Sequence, residues 1–164
     1  MTKDTGGPKI VAVEGGDHVP RARDLFLEYA DSLGFDLCFQ GFQEELEGLP
    51  GLYAPPRGRL YVASVGDEFV GCVGLRPMDA AVCEMKRLYV RPRARGHGIA
   101  RALVYQLILD ARHIGYERMY LDTIETMTEA MALYRSVGFE ECQPYSYHPV
   151  PGTKCFSLML SVES

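Results

Sequence analysis

The chain has no tryptophan, no Cys-x-x-Cys pair, and no apolar run approaching the roughly 18 residues that a membrane-spanning helix needs. Met1 to Ile10 lacks both the basic flank and the apolar stretch of a signal peptide, so the cytoplasm is the expected location and no membrane partner is expected. Cysteines stand only at 38, 72, 83, 142 and 155, without a histidine at zinc-finger spacing, so no metal site is expected. Cys72 and Cys83 fall in apolar runs, where a free thiol behaves as a small hydrophobe. Basic charge is scarce as well: 17 Lys and Arg face 22 Asp and Glu, a net charge of -5, which disfavours a nucleic-acid partner. Internal repeats and low-complexity segments are missing. With 164 residues, 47% hydrophobic and 24% charged, disordered and fibrous classes are excluded and one domain over 1–164 is expected.

What is present is uneven. Lys86, Arg87, Arg91, Arg93, Arg95 and Arg101 share a stretch, Met85 to Leu109, that contains no acid. A local excess of positive charge in an acidic background is the pattern of a site for a small polyanion.

Periodicity sets the coarse organisation. Strands are predicted over Lys9 to Glu14, Arg59 to Val65, Glu68 to Leu75 and Val82 to Val90, the middle pair joined by a Gly66-Asp67 hairpin signal. Helices are predicted from an Asp17 cap to Leu33, over Phe39 to Glu47, from Gly98 to Gly115, and over Thr126 to Val137. Ile99, Leu103, Leu107 and Ala111, with Ala100, Val104 and Ile108 beside them, give the third of these a broad apolar face. Strands over Arg118 to Thr123 and Lys154 to Val162 complete the pattern. The fold class is α/β (α+β): a mixed central sheet of about six to seven strands, an antiparallel meander plus one parallel pair, flanked by about four helices.

The informative stretch runs from Arg87 to Leu103: a strand, a turn holding Gly96-His97-Gly98, then an amphipathic helix. The first turn of a helix has N–H groups without internal partners and the positive end of the macrodipole, and glycines let a phosphate approach closely. A Walker loop is absent, and the dinucleotide pattern G-x-G-x-x-G meets Arg101 where its third glycine belongs.

This stretch resembles the coenzyme A motif [QR]-x-x-G-x-[GA] of the GNAT superfamily of N-acetyltransferases, in two registers, Arg93-x-x-Gly96-x-Gly98 and Arg95-x-x-Gly98-x-Ala100. Arg87 to Pro92 is similar to the family's fourth strand and its exit, and Ala130 to Phe139 to its A-x-x-L-Y-x-x-x-G-F helix. Three motifs in order cover about Ala81 to Glu140. One departure is Met127, where many members carry an asparagine that helps hold the cofactor.

The resemblance implies a GNAT fold whose parallel strands splay at the acetyl-CoA site, with acetyl-CoA as cosubstrate and a primary amine of a small molecule or peptide as acceptor. Direct transfer in a ternary complex is the implied reaction; the alternative is a non-catalytic acyl-CoA-binding regulatory domain. Main-chain groups of Leu88 and Val90 would pair with the pantetheine arm, the Leu88 amide polarising the thioester oxygen, with Tyr89 between them. Gly96, His97, Gly98, Ile99 and Ala100 would offer amides to the pyrophosphate, and Arg93, Arg95 and Arg101 their guanidinium groups. Glu84, an acid in a mostly apolar strand, is the expected general base with a raised pKa, acting directly or through water, and Tyr134 the expected acid for the departing thiolate. Tyr145, Tyr147 and His148, in an aromatic and proline-rich loop, are expected substrate contacts. A homodimer is left open.

Overall fold

The computed structural model describes residues 7–37, 41–145 and 150–161. Seven strands form one sheet: β1 (Lys9–Ala12), β2 (Arg59–Val65), β3 (Glu68–Pro77), β4 (Val82–Val90), β5 (Arg118–Ile124), β6 (Glu140–Cys142) and β7 (Thr153–Met159). Their order is β1-β2-β3-β4-β5-β7-β6, and every neighbouring pair is antiparallel except β4 and β5. Four helices cover the sheet: α1 (Val19–Leu33), α2 (Phe42–Glu47), α3 (Ile99–Ile114) and α4 (Thr128–Ser136).

Local chemistry explains most boundaries. α1 starts one residue later than its Asp17 cap predicts, because Gly16–His18 form a separate 3-10 turn, and Pro20, whose fixed φ suits a first helical turn, stands second in the helix. Gly34 closes it in the left-handed region. β3 runs on to Pro77, two residues beyond the expected Leu75. β1 stops at Ala12 and β7 at Met159, short of Glu14 and Val162, and α2 begins at Phe42 rather than Phe39; Phe39 and Val162 lie outside the described residues.

The sheet has a different apolar layer on each face. Leu103, Val104 and Leu107 of α3 pack on Met85, Met119, Leu121 and Phe156, while Leu25 and Phe26 of α1 pack on Leu60, Val62 and Cys72. Ile99, Leu103, Val104, Leu107, Ile108 and Ala111 are all buried, each larger side chain contributing about 1.5–3 kcal/mol, so the 3.6-residue period of α3 is its main adhesive. No helix among the described residues is long and apolar enough to cross a membrane.

Candidate active site

β4 and β5 begin together and then part. Their register pairs Val82 with Arg118, Cys83 with Met119 and Glu84 with Tyr120, and stops there, although both strands continue. β5 stays paired with β7 along its whole length, from Arg118 to Ile124. The gap therefore opens on the β4 side, and the β5-facing backbone of the second half of β4 has no strand beside it.

A bulge in β4 marks the same place. Cys72 pairs with Tyr89 and Gly74 with Lys86, so Arg87 and Leu88 together face Val73. Arg87 takes the left-handed conformation with φ 64, alone in this respect among the described non-glycine residues. Two contacts hold it there: the Cys72 thiol donates to the Arg87 carbonyl at 3.2 Å, and the Arg87 guanidinium forks onto Glu45 of α2 at 2.9 and 2.8 Å. Burial pushes the Cys72 thiol up, so it keeps the proton it donates. For Glu45 burial alone acts upward, and the hydrogen bonds and charge of Arg87 outweigh it, holding the carboxyl below its ordinary value.

Beside the gap lies a cleft of about 620 Å³. One bank is Leu88, Tyr89 and Val90 of β4; the other is the start of α4, with Ala130 and Leu133. Its end is the turn before α3, where Gly96 and Gly98 both have positive φ, 85 and 80. No atom would obstruct a side chain at either position, so it is the backbone conformation that requires glycine. The first intrahelical bond runs from the Ala102 N–H to the Gly98 carbonyl at 3.0 Å, which leaves the earlier N–H groups of the turn aimed out of the helix. Ile99, Ala100, Arg95 and Arg101 line this end too.

The basic run does not act as one surface. Arg87 binds Glu45, Arg91 binds Glu28 at 2.7 Å, Arg93 binds Glu68 at 2.6 Å, and Lys86 lies 3.9 Å from Glu84. Lys86 and Arg87 are buried rather than solvated. Arg93 does not line the cleft, and neither does the exposed side chain of His97. Arg95 and Arg101 alone of the six do so. Even there, the Arg95 Nε donates to the Val90 carbonyl at 2.8 Å, occupying a backbone group expected for the pantetheine arm, and Arg101 donates to Ser136 Oγ at 3.0 Å.

On the α1 side of the gap a second, smaller pocket of about 30 Å³ is lined in part by Glu84. Glu84 is 3% exposed and is not an isolated acid in apolar surroundings: its Oε1 accepts from Arg76 Nε and Nη2 at 2.9 and 2.8 Å, and its Oε2 accepts from the Tyr145 hydroxyl at 2.6 Å. Arg76 is its direct cross-strand partner on β3. Burial, then the charges of Glu84 and Asp122, push the Tyr145 phenol far up, so it remains a donor. Tyr147 and His148 lie outside the described residues.

The acetyltransferase (GNAT) family profile matches residues 22–139 of this chain. The chain belongs to the GNAT family of acetyltransferases. It is 40% identical to an uncharacterized N-acetyltransferase of Schizosaccharomyces pombe, over 84% of this chain and 85% of the yeast protein. In fold it is similar to an acetyltransferase from Streptococcus agalactiae, with TM-score 0.78, 21% identity, and 94% and 99% of the two chains covered. A GNAT acetyltransferase from Elizabethkingia anophelis with acetyl-CoA bound superposes with TM-score 0.68 and 23% identity over 96% of this chain and 100% of that one. The mixed seven-stranded sheet with one parallel pair and four helices is the GNAT fold.

Two further GNAT positions depart from simple expectation. Met127, standing where many members have asparagine, lines both the cleft and the second pocket, and its sulfur accepts from Thr123 Oγ1 at 3.6 Å. The two cavities thus adjoin at a thioether. Tyr134 is 6% exposed and lies next to Leu133 of the cleft wall, with its ring against Phe139 and Phe156 at centroid distances of 5.8 and 6.1 Å. Burial pushes its phenol up, and Tyr29 of the opposite face adds a smaller push in the same direction. The signal missed by sequence reasoning is the Arg87 bulge, together with Glu45, Arg76 and Asp122, residues that carry no motif.

Proposed function

We propose that the chain is an acetyl-CoA-dependent N-acetyltransferase that acts on a primary amine by direct transfer within a ternary complex. The observation that carries this reading is the junction of two cavities at the β4–β5 gap: one is long and ends at a glycine turn and helix N-terminus, the other is small and holds a carboxylate. The bound acetyl-CoA of the Elizabethkingia relative supports the choice of cosubstrate.

Acetyl-CoA supplies an activated thioester. The outward N–H groups between Gly96 and Arg101 bind its pyrophosphate, with Arg95 and Arg101 beside them. The bulge at Arg87 turns the Leu88 amide toward the cleft, where it donates to the thioester oxygen as negative charge develops on it. Glu84 removes the proton of the acceptor amine through a water: Oε1 is filled by Arg76, while Oε2 retains a lone pair beyond the Tyr145 bond. Tyr134, kept protonated by burial, returns a proton to the departing thiolate. One proton leaves the amine and one reaches sulfur, so the amide and free coenzyme A are balanced products.

Thermal unfolding with acetyl-CoA or free acetate, followed by thiol release with a panel of amines, tests the reading. Stabilisation by acetyl-CoA and turnover with at least one amine are expected, with losses of about 100-fold or more in Glu84→Gln and Tyr134→Phe. Absence of stabilisation overturns the cofactor assignment. Stabilisation without turnover points to an acyl-CoA-binding regulatory domain, and turnover surviving in both variants removes the two residues from the chemistry.

A further inference from the structure

The Glu84 carboxylate is held from both sides of its strand. Arg76, directly across the β3–β4 ladder, places Nε and Nη2 on the same oxygen, Oε1, at 2.9 and 2.8 Å. Tyr145, from the chain after β6, donates its hydroxyl to Oε2 at 2.6 Å, and its ring lies on that of Tyr120 at a centroid distance of 4.6 Å. Tyr120 is in turn the partner of Glu84 on β5. Arg76 is not a packing residue: 31% of its side chain is exposed, against 3% for the carboxylate it meets.

The two carboxylate oxygens are not equivalent. Each has two lone pairs. Two guanidinium N–H groups fill those of Oε1, whereas Tyr145 takes one of Oε2, and the Lys86 ammonium at 3.9 Å is beyond hydrogen-bond reach of it. One lone pair of one oxygen is left to receive a proton. Charge enters as well. Burial favours the neutral form of a carboxyl by as much as about 3–5 units, and a guanidinium in contact favours the charged form by about 1–3. A buried base that is to accept a proton near neutral pH therefore needs a cation beside it.

Resting on the general-base reading of Glu84, we propose that Arg76 is the positioning residue of the acyl transfer: it occupies Oε1 and presents the open lone pair of Oε2, on a charged carboxylate, to the proton of the amine or its relay water. Tyr145 is the second prop of the same group. The other ionisable groups around it are Lys86 and Arg87 of β4, Tyr120 and Asp122 of β5, and Tyr29 of α1. Arg87 is engaged by Glu45, and Tyr145 also bonds to Asp122. Burial holds the Lys86 ammonium down to about 8, so its own titration has to be told apart.

The test follows kcat for coenzyme A release from pH 5 to 10 at saturating acetyl-CoA and saturating phenethylamine, L-leucinamide or spermidine, whichever turns over fastest. Wild type is expected to show an acid limb that disappears in Glu84→Gln and persists in Lys86→Met. Arg76→Met is expected to move that limb up by about one pH unit and to lower kcat by about 30-fold, with the acetyl-CoA KM within about twofold. Arg76→Lys is expected to restore the limb, because charge remains, but only part of kcat, because an ammonium cannot fork. In the Glu84→Gln background, Arg76→Met is expected to change kcat by less than about twofold. That double variant removes both charges, so no buried ion is left without a partner to weaken the fold. An unmoved limb in Arg76→Met, or a full further loss in the Glu84→Gln background, overturns the proposal, since a merely structural arginine gives both. A slow Glu84→Gln beside a fast Arg76→Met leaves the base standing and removes only its positioning residue. Unimpaired turnover in Glu84→Gln removes the base and this proposal with it, and no release with any of the three amines overturns acyl transfer as well.

Discussion

Arg87 and Glu45 form a buried, two-pronged ion pair, and the same arginine supplies the backbone bulge that interrupts the β3–β4 ladder. The short helix α2 is thereby tied to the strand that lines the cleft, and Tyr53 adds a third bond to the same carboxylate at 2.9 Å. Removing Glu45 leaves a guanidinium buried without its partner. Glu45→Ala is expected to lose about 3–5 kcal/mol of stability by urea unfolding. On the proposed role of the Leu88 amide, the folded fraction of the variant is expected to show a lower kcat with little change in the acetyl-CoA KM.

Gly98 holds φ 80 at the start of α3 with no neighbour to obstruct a side chain. An alanine there fits the space but strains the backbone, at a cost of about 1–2 kcal/mol. Gly98→Ala is expected to weaken acetyl-CoA binding by about tenfold in calorimetry, as the amide directions of the turn relax.

Arginines of the basic run separate into two classes that one binding experiment distinguishes. Arg93→Ala, which removes a partner of Glu68 outside the cleft, is expected to leave acetyl-CoA affinity within about twofold. Arg101→Ala, on the cleft wall, is expected to weaken it by about tenfold, an effect that shrinks in high salt.

Lys86 carries a pH signature. Its folded value of about 8 lies below the ordinary 10.5, so the unfolded chain binds the proton more tightly, and this group makes stability rise between those two values. Below about 8 both states are protonated and the contribution is at its least favourable. The stability difference between wild type and Lys86→Met, followed by urea unfolding from pH 7 to 10, is therefore expected to move in favour of wild type as pH rises. A difference that stays flat would show the ammonium to be unperturbed.

Much of this site was legible because its parts are local. The α3 period, the Gly96-His97-Gly98 turn and the Gly66-Asp67 hairpin each declare themselves within a few residues. The meaning of the basic run did not, because its partners are distant: Glu45 is 42 residues from Arg87, Glu28 is 63 from Arg91, and Glu68 is 25 from Arg93. Charges adjacent in sequence were thus dispersed by the strand, its bulge and the turn after it, and most of them support the frame. Arg76 and Tyr145 show the same limit at Glu84, whose environment reads as apolar along the chain and as polar across the sheet. β6 escaped notice for another reason: Glu140, Glu141 and Cys142 make a three-residue edge with no apolar alternation to reveal it.

The parting of β4 and β5 gives this sheet two interior rims besides its outer ones. Unpaired strand rims ordinarily invite another protein's strand and hence aggregation. Here Ser32 of α1 and Ala130 and Leu133 of α4 line the cleft beside the opening, so the exposed rim of β4 lies between two helices rather than at an outer edge. A backbone left unpaired in the middle of the sheet can thus be offered to a ligand without exposing an outer edge to another sheet.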